Sequence, residues 1–161
     1  MKTFLTSALF LLSISASAQD VFIIKKSMNP KNVLHYKVNV KDCKIQTSPV
    51  TPYWTMGESD GHEEGLSSKE KSYFAPKNVY QKSTDADFSF GALEKMGKKI
   101  PDQSIQIRLE NCQPKAFMEI NGREIQLTEI YVSLTMLMSV KYMEISGLTS
   151  SGVKLKTKIN N

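Results

Sequence analysis

Two cysteines among 161 residues are too few for a disulfide-dense mini-protein, and eight glycines with six prolines are too few for a collagen or a low-complexity linker. Several signatures of common chemistry are missing: a phosphate-binding glycine-rich loop, a G-x-S-x-G elbow, a C-x-x-C pair and a dinucleotide fingerprint. Internal repeats are missing too, and the length is that of one domain rather than a multidomain enzyme. Arginine is scarce. Of the 21 basic residues only Arg108 and Arg123 are arginine, so the net charge of +5 is carried by lysine. Lysine lacks the bidentate fork that reads phosphates and bases, and nucleic acid is not an expected partner. What is there, 40% hydrophobic and 23% charged residues, is the composition of a globular chain and not of a disordered one.

The first residues carry an address. Lys2 is followed by an apolar stretch over residues 4–14, broken only by Thr and Ser, and then by Ala16-Ser17-Ala18. These are the three parts of a secretory signal peptide, in order, and the apolar stretch falls short of the roughly 20 residues of a spanning helix. Cleavage is expected after Ala18, leaving a leader over residues 1–18 and a single β domain over residues 19–161, periplasmic or secreted. No later segment is apolar enough to span a bilayer. Export favours pairing of Cys43 with Cys112, which would stabilise the fold by about 4 kcal/mol in the chain-entropy account. A zinc site from Cys43, Cys112, His35 and His62 is not expected, because structural zinc ligands come in close pairs and these are scattered.

Strand patterns fill most of the remaining chain. Residues 21–25 read as a short apolar strand, and residues 33–40 alternate, with Leu34, Tyr36, Val38 and Val40 on one face and His35, Lys37 and Asn39 on the wet one. Residues 51–56 read as a third strand whose beginning is marked by Pro49 and Pro52, and residues 104–110 as a fourth. Residues 115–120 and 123–127 flank Asn121-Gly122, the dipeptide best suited to a two-residue hairpin. Val132, Leu134, Met136, Met138 and Val140 alternate, followed by strands over residues 141–145 and from residue 153. One short helix is expected over residues 67–74, where Ser67 and Glu70 form a capping box and Pro76 stops the chain. Residues 75–102 are the least legible, with a short strand over 85–90 and a helical turn or loop over 92–99. The fold class is therefore all-β: an antiparallel meander closing into a barrel-like domain or stacking as a sandwich.

Candidate chemistry concentrates between residues 53 and 64. His62-Glu63-Glu64-Gly65-Leu66 begins like the metalloprotease helix motif, but Leu66 stands where the second histidine must coordinate. Glu58, Asp60, Glu63 and Glu64 offer hard oxygen ligands around Gly57 and Gly61, yet miss the EF-hand spacing, and the loop reads as solvated. No metal or other cofactor is therefore expected. Met118, Met136, Met138 and Met143 could hold Cu(I) through thioethers, but lie on or beside apolar strand faces and read as core filling. Tyr53-Trp54, directly before the acidic loop and holding the chain's single tryptophan, can line a binding surface, or Trp54 can simply be core. Lys154, Lys156 and Lys158 alternate along the terminal strand, where they protect an edge and offer weak attraction to anionic surfaces.

Pro49-Val50 leading to Tyr53-Trp54, Glu63-Glu64 before Leu66 and the helix, Asn121-Gly122, and Tyr142-Met143-Glu144-Ile145-Ser146-Gly147 with Gly152 resemble the domain-of-unknown-function family 4833. The resemblance implies a small exported bacterial protein and carries over no catalytic residue, because the family has no assigned activity. Gly65 between the acidic pair and Leu66, and the two cysteines, depart from its pattern. The functional expectation is a non-enzymatic envelope domain that binds a small molecule, glycan or protein partner through Tyr53, Trp54, Glu58, Asp60, His62, Glu63 and Glu64. The alternative is a small envelope hydrolase using His62 with Glu63 or Glu64, which requires those side chains to converge on one pocket. The cysteine pairing has a direct test. Alkylation of the native protein without reductant is expected to leave its intact mass unchanged, and two labelled thiols would overturn the disulfide.

Overall fold

Alternation at period two governs the architecture. The computed structural model describes residues 17–57, 61–94, 104–137 and 139–161. Its elements are strands β1 (Ser17–Lys26), β2 (Val33–Lys41), β3 (Lys44–Thr55) and β4 (Glu63–Gly65), helix α1 (Ser68–Phe74), strands β5 (Pro76–Gln81) and β6 (Asp85–Phe90), helix α2 (Gly91–Glu94), and strands β7 (Ile105–Glu110), β8 (Gln113–Ile120), β9 (Arg123–Leu134), β10 (Val140–Leu148) and β11 (Lys154–Asn160). In β2, Leu34, Tyr36, Val38 and Val40 are buried while the residues between them are not, as the alternation requires. The all-β class holds. The leader falls on residues outside the described ones, apart from Ser17 and Ala18, which open β1.

The sheet is mixed, which corrects the expectation of a wholly antiparallel meander. Strand β9 is long enough to serve two neighbours on one edge: residues 123–126 pair antiparallel with β8, and residues 129–132 pair in parallel with residues 23–26 of β1. One wing continues from β1 through β2 and β3 to β4, the other from β8 through β7 and β6 to β5, while β10 and β11 extend the opposite edge of β9. Two wings set end to end on one strand edge, each twisting in the usual hand, curl toward each other. Their far ends meet where Gln81 donates to the carbonyls of Ile45 (3.1 Å) and Gln46 (2.9 Å), and where Ile45 N–H donates to Ser83 (2.7 Å). The result is a half-barrel with its apolar face inward.

Several local expectations shift. Strand β3 starts at Lys44 rather than residue 51, and a bulge with Ser48 at φ 58° carries Pro49 within it. Residues 63–65 are an edge strand on β3 and not part of a loop, and β5 occupies a stretch that had no legible pattern. Met118 and Met143 are core, but Met136 is 95% exposed on the β9–β10 turn, so its alternation with Leu134 does not continue the strand. Met138 lies outside the described residues.

The concave face is filled by aromatics and plugged by α1. Phe22 stacks on Tyr36 at 4.4 Å, Tyr36 neighbours Phe90 at 5.8 Å, and Phe74 at the end of α1 lies 6.4 Å from Phe90 and 6.2 Å, edge-on, from Trp54. The helix starts as its capping box demands, with Ser67 Oγ accepting from Glu70 N–H and the Glu70 carboxylate accepting from Ser67 N–H. Helix α2 packs directly on it: a Cβ at Gly91 would stand 2.3 Å from the Ser72 carbonyl oxygen.

A disulfide joins Cys43 to Cys112, which sit in the two-residue connections β2–β3 and β7–β8. Both connections have two consecutive residues at positive φ, Asp42 (51°) with Cys43 (56°) and Asn111 (51°) with Cys112 (63°), as does Asn121-Gly122 in the third tight hairpin. Such turns favour glycine at the second position, and each cysteine occupies that position at a steric cost of about 1–2 kcal/mol. Removing the bridge as Cys43→Gly/Cys112→Gly is therefore expected to cost less stability than Cys43→Ala/Cys112→Ala, by at least about 1 kcal/mol in denaturant unfolding. Equal midpoints would remove the turn assignment.

Candidate functional site

On β1 the inward series Phe22, Ile24 ends in Lys26. The first two are buried in the core, and the third brings an ammonium group to the mouth of the half-barrel with only 13% of its side chain exposed. Its Nζ lies 4.0 Å from the Trp54 ring centroid, 5.8 Å from that of Phe74 and 3.5 Å from Glu70 Oε1. Two aromatic faces and one carboxylate thus replace the water that the cation loses. Burial raises the Glu70 pKa, but the Ser67 hydroxyl and N–H and the Lys26 charge outweigh it, so the carboxyl group sits below its ordinary value and is ionised at neutral pH.

Beside this pair is a cavity of about 250 Å³. Phe74, Ala92, Val132, Leu134 and Val140 form its apolar walls, and Lys26, Lys69 and Glu70 its polar side. The elements that make it are the plug helix, α2, and the facing ends of β1, β9 and β10. Trp54, 3% exposed, lies behind Lys26 with its indole N–H lacking a hydrogen-bond partner among the described residues.

The residues predicted from sequence divide between the two faces of the sheet. Successive strand residues point to opposite sides, so Trp54 faces the core and Tyr53 the outer surface. Tyr53 stacks on His35 at 4.9 Å and its hydroxyl donates to both Asp20 carboxylate oxygens at 3.0 Å, while His35 Nδ1 lies 2.8 Å from Asp20 Oδ2. Lys37 Nζ stands 4.2 Å over the Tyr53 ring and 3.8 Å from Glu63. His62 and Glu64 contact each other at 2.6 Å as exposed groups. Glu64 is registered against Trp54, and Glu63 against Thr55 on the Tyr53 side, so His62, Glu63 and Glu64 do not converge on the cavity. Glu58 and Asp60 lie outside the described residues. Lys156 pairs with Glu144 at 2.6 Å and Lys158 stands 3.8 Å over the Tyr142 ring, while Lys154 is exposed on the same alternation.

Sequence reading missed Lys26, Lys69, Glu70 and Asp20. Extending the first strand by one residue would have exposed Lys26 as the inward successor of Phe22 and Ile24, which is the signal available. Asp20 had none, because its partners come from β2 and β3.

The model of the family described as Domain of unknown function (DUF4833) matches residues 22–158. No curated protein and no solved structure matches the chain.

The outer cluster has a pH signature. Partial burial, the hydrogen bond to Asp20 and the charges of Asp20 and Glu63 push Tyr53 up from 10.0 to about 12. The neutral hydroxyl is thus favoured by folding, so this contribution to stability is complete below pH 10.0 and lost as pH rises through about 12. In a tyrosinate absorbance titration the step near pH 12 is expected to disappear in Tyr53→Phe and to move down in Asp20→Asn. A Tyr53 step that stays put in Asp20→Asn would show that Asp20 does not hold the hydroxyl.

Proposed function

The chain belongs to the DUF4833 family, and we propose that it binds a small anionic amphiphile, with an apolar chain or ring in the cavity at the half-barrel mouth and a carboxylate at Lys26 and Lys69. The observation that carries this reading is the inward-facing Lys26 at the polar side of a cavity whose remaining walls are mainly apolar. A cavity of roughly 150 Å³ holds benzene, so 250 Å³ has room for a ring or a short acyl chain. Barrel mouths are a usual place for ligands, and an apolar pocket with few polar groups is their usual make-up. Lys26 is only loosely held by Glu70 at 3.5 Å, and a ligand carboxylate would add a charge-assisted hydrogen bond of about 1.5–3 kcal/mol in this water-poor setting.

Binding rather than catalysis is the reading supported, because the Ser67 hydroxyl and the Glu70 carboxylate that line the cavity are committed to each other (2.7 Å) in the cap of α1, and Glu70 also to Lys26. The Tyr53 surface supports recognition less well: its polar groups already satisfy one another through Asp20, His35, Lys37 and Glu63. The strand-to-helix segment keeps a part in the reading, since Trp54 underlies Lys26 and α1 walls the cavity. An exported setting in the cell envelope is supported by the leader-like first residues and by the disulfide.

Decanoate titrated into the protein is expected to change the fluorescence of Trp54 saturably, with heat measured in parallel by calorimetry. Ala92→Phe, which fills the cavity, is expected to abolish binding while the protein still melts cooperatively. Lys26→Met is expected to weaken decanoate about tenfold or more and decanol hardly at all. Undiminished binding by Ala92→Phe would place the ligand elsewhere.

A further inference from the structure

Three of the large apolar side chains exposed among the described residues stand on the rim of this same mouth: Met28 at 46%, Met136 at 95% and Leu137 at 90%. Met136 and Leu137 form the tip of the β9–β10 connection, which is closed by Thr135 N–H donating to Ser139 (2.8 Å) and Ser139 N–H donating to Thr135 Oγ1 (3.1 Å). Met28 is brought alongside because Ser27 N–H donates to the Val132 carbonyl (3.0 Å) and Ser27 Oγ accepts from Leu134 N–H (2.9 Å). The tip is therefore a braced turn that holds two apolar side chains out into solvent. No core contact explains them, and solvent exposure of adjacent large apolar residues on a braced turn marks a contact surface.

We propose that this tip inserts into an anionic lipid bilayer and seats the mouth of the half-barrel on the membrane surface. Charge selects the partner. Lys26 and Lys69 line the cavity and Lys141 is exposed directly after Val140, with Glu70 the acidic residue among the cavity's lining. Lysines near an anionic membrane surface add attraction, and a few apolar side chains reaching the acyl boundary add the rest. Shape agrees with a bilayer more than with a protein partner, because a narrow projecting tip offers little area for a packed interface but suits insertion between headgroups. The cavity lies at the same place. Leu134 and Val140, the residues flanking the tip, are two of its apolar walls, so an acyl chain leaving the membrane would reach it along an apolar path.

The experiment is co-sedimentation of the full chain, in its exported and oxidised form, with vesicles of phosphatidylcholine alone or mixed with phosphatidylglycerol. Binding is expected to the mixed vesicles and to weaken with added salt. Met136→Ser/Leu137→Ser is expected to lower it tenfold or more with an unchanged melting temperature, since both side chains are exposed and make no core contact. Lys69→Glu/Lys141→Glu is expected to remove the preference for phosphatidylglycerol. Absence of binding to the mixed vesicles, or binding that the serine pair leaves intact, overturns the proposal. So does sedimentation velocity showing a dimer that the serine pair dissolves, because the tip would then cover a second copy. Ala92→Phe is expected to keep vesicle binding, so failure of cavity occupancy and failure of membrane docking are read separately.

Discussion

The Tyr36 hydroxyl donating to the Phe74 carbonyl at 2.7 Å ties the plug helix to the half-barrel, and the rest of the structure depends on that plug. A curled sheet with an apolar concave face must cover it or lose the burial that holds it together. Here the cover is one two-turn helix, too short to be stable alone, so it is held by its ends. Ser67 and Glu70 cap the start, and Tyr36 fastens the end. Burial pushes the Tyr36 pKa well up, which keeps the hydroxyl a donor across the ordinary pH range. Once α1 is seated, Phe74 meets Trp54 and Phe90, and Glu70 is delivered to Lys26. The cavity is what remains between that plug and the ends of the strands.

The sheet closes at its far side by different means. The hairpin turns that carry Cys43 and Cys112 are brought together by the curl of the two wings, and their Cα atoms stand 4.7 Å apart. Gln81 then bridges the wings with side-chain hydrogen bonds to two backbone carbonyls, where continuous strand pairing has stopped. The covalent link and the amide clasp secure the same seam. On the outer surface, order comes from paired charge and aromatic stacking: Asp20 serves both Tyr53 and His35, and Lys25 meets Glu129 at 2.7 Å. Exposed pairs of this kind add little stability each, and their effect is to orient side chains.

The contrast between Tyr53 and Trp54 shows how far local reading reaches. Their adjacency suggested one aromatic surface, yet adjacency in a strand guarantees opposite faces once the residues are known to be in the strand interior. Treating residues 58–64 as a loop hid the edge strand β4, which puts Glu63 and Glu64 on opposite sides as well. The cavity was illegible for another reason. Its walls come from α1, α2, β9 and β10, and Lys26 from β1, segments separated by more than a hundred residues at the extreme and related by pairing that no spacing encodes.

Local chemistry was enough to determine the all-β class, the faces of β2, the capping box of α1 and the Asn121-Gly122 hairpin, because each depends on residues within a few positions of one another. It also named the cysteine pair, since there were only two to join. The turns at Asp42-Cys43 and Asn111-Cys112 escaped, because cysteine stands where glycine would have announced them. What only the tertiary structure decided was the parallel pairing of β1 with β9, and with it the direction in which the sheet curls and the end at which its mouth opens. That pairing joins the start of the domain to a strand a hundred residues later. Its energy comes from burial shared by both wings, a long-range quantity, so Lys26 became a cavity residue through the fold and not through its neighbours in the chain.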